Sequence, residues 1–111
     1  MTKALKITTT GQLSFVELDD IADYWREVGG FVQAVPVGDR HQMILNEEGK
    51  YSGLAHNAVA DAVTVIGCTG LAADDFIVGD VLLVGSSPNS ENWSDVADSL
   101  VESVRKLIAG A

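Results

Sequence analysis

The sequence predicts an α+β fold, with a mainly antiparallel sheet of about five strands in the order β-β-α-β-β-α-β-α. Helices pack on that sheet, and a long amphipathic helix closes the chain. Three observations carry this prediction. Short apolar or alternating runs recur along the chain, each bounded by Gly, Asn, Asp or Pro, as strands are. Between them stand stretches whose apolar residues fall at helical spacing. The last stretch, residues 93–109, keeps one apolar face over several turns. With 111 residues, 47% of them hydrophobic, the chain is long and apolar enough for one domain whose core needs no staple. The expected layout is a single domain, residues 1–111: a sheet-containing core at 1–85, a linker at 86–92 and the helix at 93–109.

Residues 3–9 and 12–18 read as a hairpin. Leu5 and Ile7 alternate with Lys6 and Thr8, and Thr10-Gly11 supplies the turn. In the second strand Leu13, Phe15 and Glu17 face one way and Ser14, Val16 and Leu18 the other. Neither face is cleanly polar, so both sides of the sheet are expected to be partly covered. Asp19 or Asp20 caps the next helix, whose apolar stripe is Ile21, Tyr24, Trp25 and Val28. Trp25 is read as core. Gly29-Gly30 ends the helix, since glycine takes the left-handed conformation of a C-cap.

Residues 31–37 form the third strand, and Pro36, which has no N–H, places its end at an edge or bulge. Gly38-Asp39 turns the chain, and residues 41–45 return as the fourth strand. Asn46-Glu47-Glu48-Gly49 has the composition of a turn. Asn57 caps a helix running to about Ile66, with Val59, Ala62, Val63 and Ile66 inward. Its β-branched residues make it the weakest helix. Residues 67–75 read as loop. Residues 76–84 are the most hydrophobic segment and the expected central strand, with a bulge or bend at Gly79-Asp80. After the linker, Trp93, Val96, Leu100, Val104, Leu107 and Ile108 trace one helical face. Ser94 or Asn92 would cap it, Arg105 and Lys106 complement the dipole of its last turn, and Gly110 follows its end.

A net charge of −9 with only seven basic residues argues against direct nucleic-acid binding. Acidity keeps a protein soluble, and it also lets a chain imitate DNA. Cys68 stands alone, so no internal disulfide forms, which fits a reducing compartment. No run has the length of a membrane span and no signal-peptide core is present. The expected location is the cytoplasm, with no membrane partner.

The catalytic inventory is thin. His41 and His56 lack zinc spacing, and neither a G-x-S-x-G elbow nor a phosphate loop occurs. Glu47 and Glu48 could hold a divalent cation with Asp39, Asp74 or Asp75, although a solvated hairpin tip is the simpler account. No catalytic residue, metal or cofactor is therefore assigned. The amides of Gln33, Gln42, Asn46 and Asn57 suit recognition of a base edge, and Lys50 and Arg40 could meet a phosphate. The candidate ligand set is Arg40, Asn46, Glu48, Lys50, His56 and Asn57. A second candidate is a homo-oligomer through the last helix, where Trp93, Leu100 and Leu107 lie seven apart with Val96 and Val104 between them.

Four segments form a recurring order: Gly29-Gly30-Phe31-Val32 with Val35-Pro36, then Asn46-Glu47-Glu48-Gly49-Lys50, then Gly53-Leu54 with Asn57, then Asp75 with Ile77-Val78-Gly79-Asp80 before an aliphatic run. This order resembles a small domain family of unknown function, widespread in phages and bacterial mobile elements, including those of actinobacteria. The resemblance runs from about Gly29 to Gly85. The N-terminal hairpin and first helix fit the family's order, and the C-terminal helix looks like an addition. It implies an accessory protein in the cytoplasm of a bacterial host, and it brings no catalytic residues. Three functions follow as expectations. The first is non-catalytic sequestration of a small nucleotide-like signal in a counter-defence role. The second is an acidic inhibitor or DNA mimic directed at a host protein. The third is a metal-dependent hydrolase.

Overall fold

Two hairpins with one strand between them make the sheet. The computed structural model describes residues 1–66, 76–86 and 92–110. Its elements are β1 (Thr2–Ile7), β2 (Leu13–Leu18), α1 (Ile21–Val28), β3 (Val32–Val37), β4 (His41–Asn46), α2 (Ala58–Ile66), β5 (Val81–Gly85) and α3 (Asp98–Ala109). The strand order is β2-β1-β5-β4-β3, and every neighbouring pair is antiparallel. The predicted class and element order hold, and β5 is the central strand.

The pleat sorts side chains to opposite faces. Val81 and Leu83 of β5 join Leu5, Ile7, Met43 and Leu45 beneath α2 and α3. Leu82 and Val84 join Ala4, Leu18 and Ile44 beneath α1. Both faces of the sheet are covered, which is why β5 is apolar throughout rather than alternating. Pro36 lies in β3, an edge strand, where its missing N–H breaks no ladder.

Asp20 caps α1 in a capping box with Asp23: its side chain accepts from the Ala22 and Asp23 amides, and the Asp23 carboxylate accepts from the amides of Asp19 and Asp20. Those backbone bonds hold the Asp23 carboxyl below its ordinary value. Gly29 ends the helix at φ 81°. Of the predicted stripe only Tyr24 and Val28 are buried. Trp25 is not core: it lies outward, 37% exposed, against Phe31. The short α1 turns one narrow face to the sheet, and Tyr24 and Val28, four apart, fill it.

Asn57 caps α2 as expected, accepting from the Ala60 amide. The buried face is Ala60, Val63 and Thr64, while Val59 is only partly buried. The expected strand at 76–84 is broken. Ile77 accepts from the Asn57 amide and Gly79 donates to Ala55, so this segment pairs with residues 55–57 before β5 begins.

The C-terminal helix is shorter than expected. Ser94 pairs with Gly85 through two bonds of 2.8 Å, and the Val96 amide donates to Lys3. A Cβ on Gly85 would fall 2.5 Å from the Asp95 carbonyl oxygen, so this approach requires glycine. Backbone pairing holds residues 94–96 extended, and α3 starts at Asp98 with Ala97 as an N-cap that makes no side-chain bond. Neither Asn92 nor Ser94 caps it. The expected seam of Trp93, Val96, Leu100, Val104 and Leu107 is therefore not one helical face. Trp93 packs on the α1 side, 4.8 Å from the Tyr24 ring, and donates to Gln42. Val96, Leu100 and Val104 are buried on the opposite side, with Leu107 packed against them. The chain's own two cores consume these side chains. The predicted loop 67–75, with Cys68, Asp74 and Asp75, and most of the predicted linker, 87–91, lie outside the described residues. Among the described residues no helix is long and apolar enough to cross a membrane.

Candidate functional site

The turn at residues 47–53 is built around Asn46, the last residue of β4. Its Nδ2 donates to the Val28 carbonyl at 3.2 Å, and its Oδ1 accepts from the Glu48 amide at 2.8 Å. The side chain is 8% exposed. It ties the end of α1 to the turn, an Asx-type use of the amide. The Glu47 amide donates to Phe31 and the Leu54 amide to Gly49, which fixes the turn from both sides.

On one flank of this turn lies a groove of about 230 Å³, bordered by Gln33, Val35, Lys50, Tyr51, Phe76 and Ile77. Lys50 Nζ sits 4.7 Å from the Phe76 ring centroid. The His56 ring meets the same phenyl edge-on at 5.9 Å. Tyr51 is 95% exposed at the rim. His56 Nε2 hydrogen-bonds the Asp61 carboxylate, whose other oxygen accepts from the Ile77 amide at 2.7 Å. Asp61 thus anchors both the imidazole and the strand-like segment that presents Phe76.

The predicted ligand set divides. Lys50 and His56 converge on Phe76. Asn46 lies beneath the turn and borders the groove, with its amide held by backbone. Glu48 opens on the turn's other flank, beside Trp25 and Phe31. Asn57 is fully buried, donating to the carbonyls of Ile7 and Gly79, so it holds the fold rather than facing a groove. Arg40 sits beyond the far end of β4, about 20 Å along the strand from Asn46. Asp39 lies at that far end too, apart from Glu47 and Glu48. Among the described residues no three His, Cys, Asp or Glu side chains come together to hold a metal.

Phe76, Tyr51 and Asp61 are the site residues that sequence reasoning passed over. By its sequence Phe76 belongs to the apolar run of the central strand, and the backbone pairing of Asn57 with Ile77 removes it from there. Chemically, the groove offers an aromatic ring, an ammonium and the Gln33 amide, and His56 backs the ring from outside the lining. Such a set suits a flat ring carrying negative charge. The volume is below the usual range for a whole drug-sized ligand, so a larger ligand would extend over Tyr51.

Comparison with curated proteins and with solved structures finds no match to this chain. A family model does match, over residues 1–109, under the description "Domain of unknown function (DUF3846)". The match takes in α3, so the C-terminal helix is part of the family's domain and not an addition to it. With nearly its whole length covered by that model, the chain belongs to the DUF3846 family of domains of unknown function.

Proposed function

We propose that the protein is a non-catalytic binding module that holds a small nucleotide-like molecule in the groove between the 47–53 turn and Phe76. The observation that carries this reading is the stacking of the Lys50 ammonium over the half-exposed Phe76 ring beside an exposed tyrosine. A base can stack on an aromatic face whatever its identity, and a nearby ammonium compensates a phosphate. The His56–Asp61 pair holds the imidazole against the Phe76 ring and so supports its position. The finer reading is a phage-type accessory protein that removes a host signalling nucleotide from circulation, a counter-defence role.

The test is calorimetric titration with a panel of mononucleotides and cyclic dinucleotides, followed by denaturation of the complex and mass analysis of what is released. The expected result is one bound nucleotide, recovered intact. Phe76→Ala should weaken it roughly 5- to 150-fold, and Lys50→Ala should weaken it further for the more highly charged ligands. Recovery of degraded nucleotide only, or binding that ignores both substitutions, would overturn the proposal.

A further inference from the structure

On the other flank of the 47–53 turn, at the C-terminal end of α1, lies a second pocket of about 310 Å³, lined chiefly by Trp25, Gly29, Gly30, Phe31, Glu48 and Ser52. Its two aromatic rings stand nearly perpendicular, 87° apart with centroids separated by 5.1 Å. They are 37% and 62% exposed. The rings meet edge to face, and the negative quadrupole of an aromatic face attracts cations. Gly29, Gly30 and Asn46 also line the pocket, and a Cβ on Gly30 would fall 2.9 Å from the Asn46 amide nitrogen that holds Val28.

Three further features favour positive charge here. Glu48, an exposed acid, lines the pocket, and among the described residues its carboxylate makes no ion pair or hydrogen bond. The C-terminus of α1 directs the negative end of its dipole at the same place. The chain as a whole carries a net charge of −9. The nearest cation of α1, Arg26, is paired with Asp23 at 3.1 Å and is not part of the lining.

We infer that this pocket receives a lysine or arginine side chain from a basic segment of a partner protein. A polypeptide source fits better than a free amine because the apolar surface continues past the pocket. Ile21, 45% exposed, precedes Trp25 by one helical turn. It also borders a second concavity lined by Thr2, Tyr24 and Trp93. A partner segment lying along α1 would place apolar residues on Ile21 and Trp25 and its cation beyond Trp25, in the pocket. This surface is independent of the Phe76 groove and does not rest on the nucleotide reading.

The test uses the full chain, isotopically labelled for NMR, and a short fluorescent peptide alternating Arg and Leu. The controls are the same peptide with citrulline replacing Arg, and free spermidine. The expected result is movement of the Trp25 indole N–H and of the amides of residues 29–31 and 48. Anisotropy titration should show Glu48→Gln and Phe31→Ala each weakening the Arg peptide roughly 3- to 30-fold. Glu102→Gln, on α3 across the sheet, should leave binding unchanged. Both test substitutions are on exposed side chains, and Glu48→Gln decides the matter if Phe31→Ala lowers stability. Equal binding of the citrulline peptide would overturn the inference. So would equal weakening by Glu102→Gln, which means diffuse attraction, or spermidine displacing the peptide at equal concentration, which assigns the pocket to free amines.

Discussion

The Asn57 side chain makes three hydrogen bonds with no solvent exposure, to Ile7, Gly79 and Ala60. Asn57→Ala strands two carbonyls and one amide, and we expect a loss of roughly 3 kcal/mol or more in urea unfolding. Asn57→Asp keeps the helix cap but points a carboxylate oxygen at two carbonyls, so its loss should be at least as large. His41 offers a pH test. Burial pushes its imidazole below the ordinary 6.5. The unfolded chain then binds protons more readily than the folded one below about pH 6.5, so stability falls as pH drops through that region. His41→Gln should reduce the fall in melting temperature as pH drops below about 6.5. At this scale the sequence was partly legible. The Asn57 cap could be read from its position before an apolar helix. Its burial could not, because the two carbonyls it meets come from residues 50 and 22 positions away. Phe76 was obscured for the same reason: an apolar residue beside Ile77 and Val78 looks like strand until the pairing of Asn57 is known.

Elements were easier to recognise than their ends. The capping box of α1 is local, spanning Asp19 to Asp23, and both ends of that helix were read correctly. Asp20→Ala should therefore cost about 1 kcal/mol, measured as a shift in denaturant midpoint with unchanged slope. The start of α3 was misplaced by five residues because distant backbone decides it. Trp93 and Val96 have helical spacing with Leu100, yet Gly85 and Lys3 claim the backbone of Ser94 and Val96. Gly85→Ala would drive a methyl group into the Asp95 carbonyl. Its expected effect is loss of the 85–94 bridge, read as faster hydrogen exchange at the Ser94 amide, together with lowered stability. The 47–53 turn was legible as a turn. Its two flanks, one with Lys50 and the other with Glu48, were not, because only the fold places Phe76 and Trp25 against them.

The whole molecule is a sheet covered on both faces, with α1 and Trp93 on one and α2 and α3 on the other. α3 is thus part of the core. Val104 is fully buried, and Val104→Ala should destabilise by about 2 kcal/mol through lost burial and a residual cavity, measured by chemical denaturation. The antiparallel class and element order could be read from apolar runs and turn residues. The central place of β5 could also be read, from its unbroken apolar run, but not which strand of each hairpin pairs with it, because nothing local chooses β1 over β2 or β4 over β3. That arrangement has a temporal consequence. A ribosome completes β1–β2 and β3–β4 well before it reaches Val81, and the two hairpins share no edge without β5. A nascent chain ending before residue 81 therefore presents two inner strand edges, β1 and β4, with a one-strand gap between them. Closing that gap joins contacts far apart in sequence, which slows folding, and until it closes each inner edge is open to pairing with a neighbouring chain. The strand made last among the five is the one that locks the other four together.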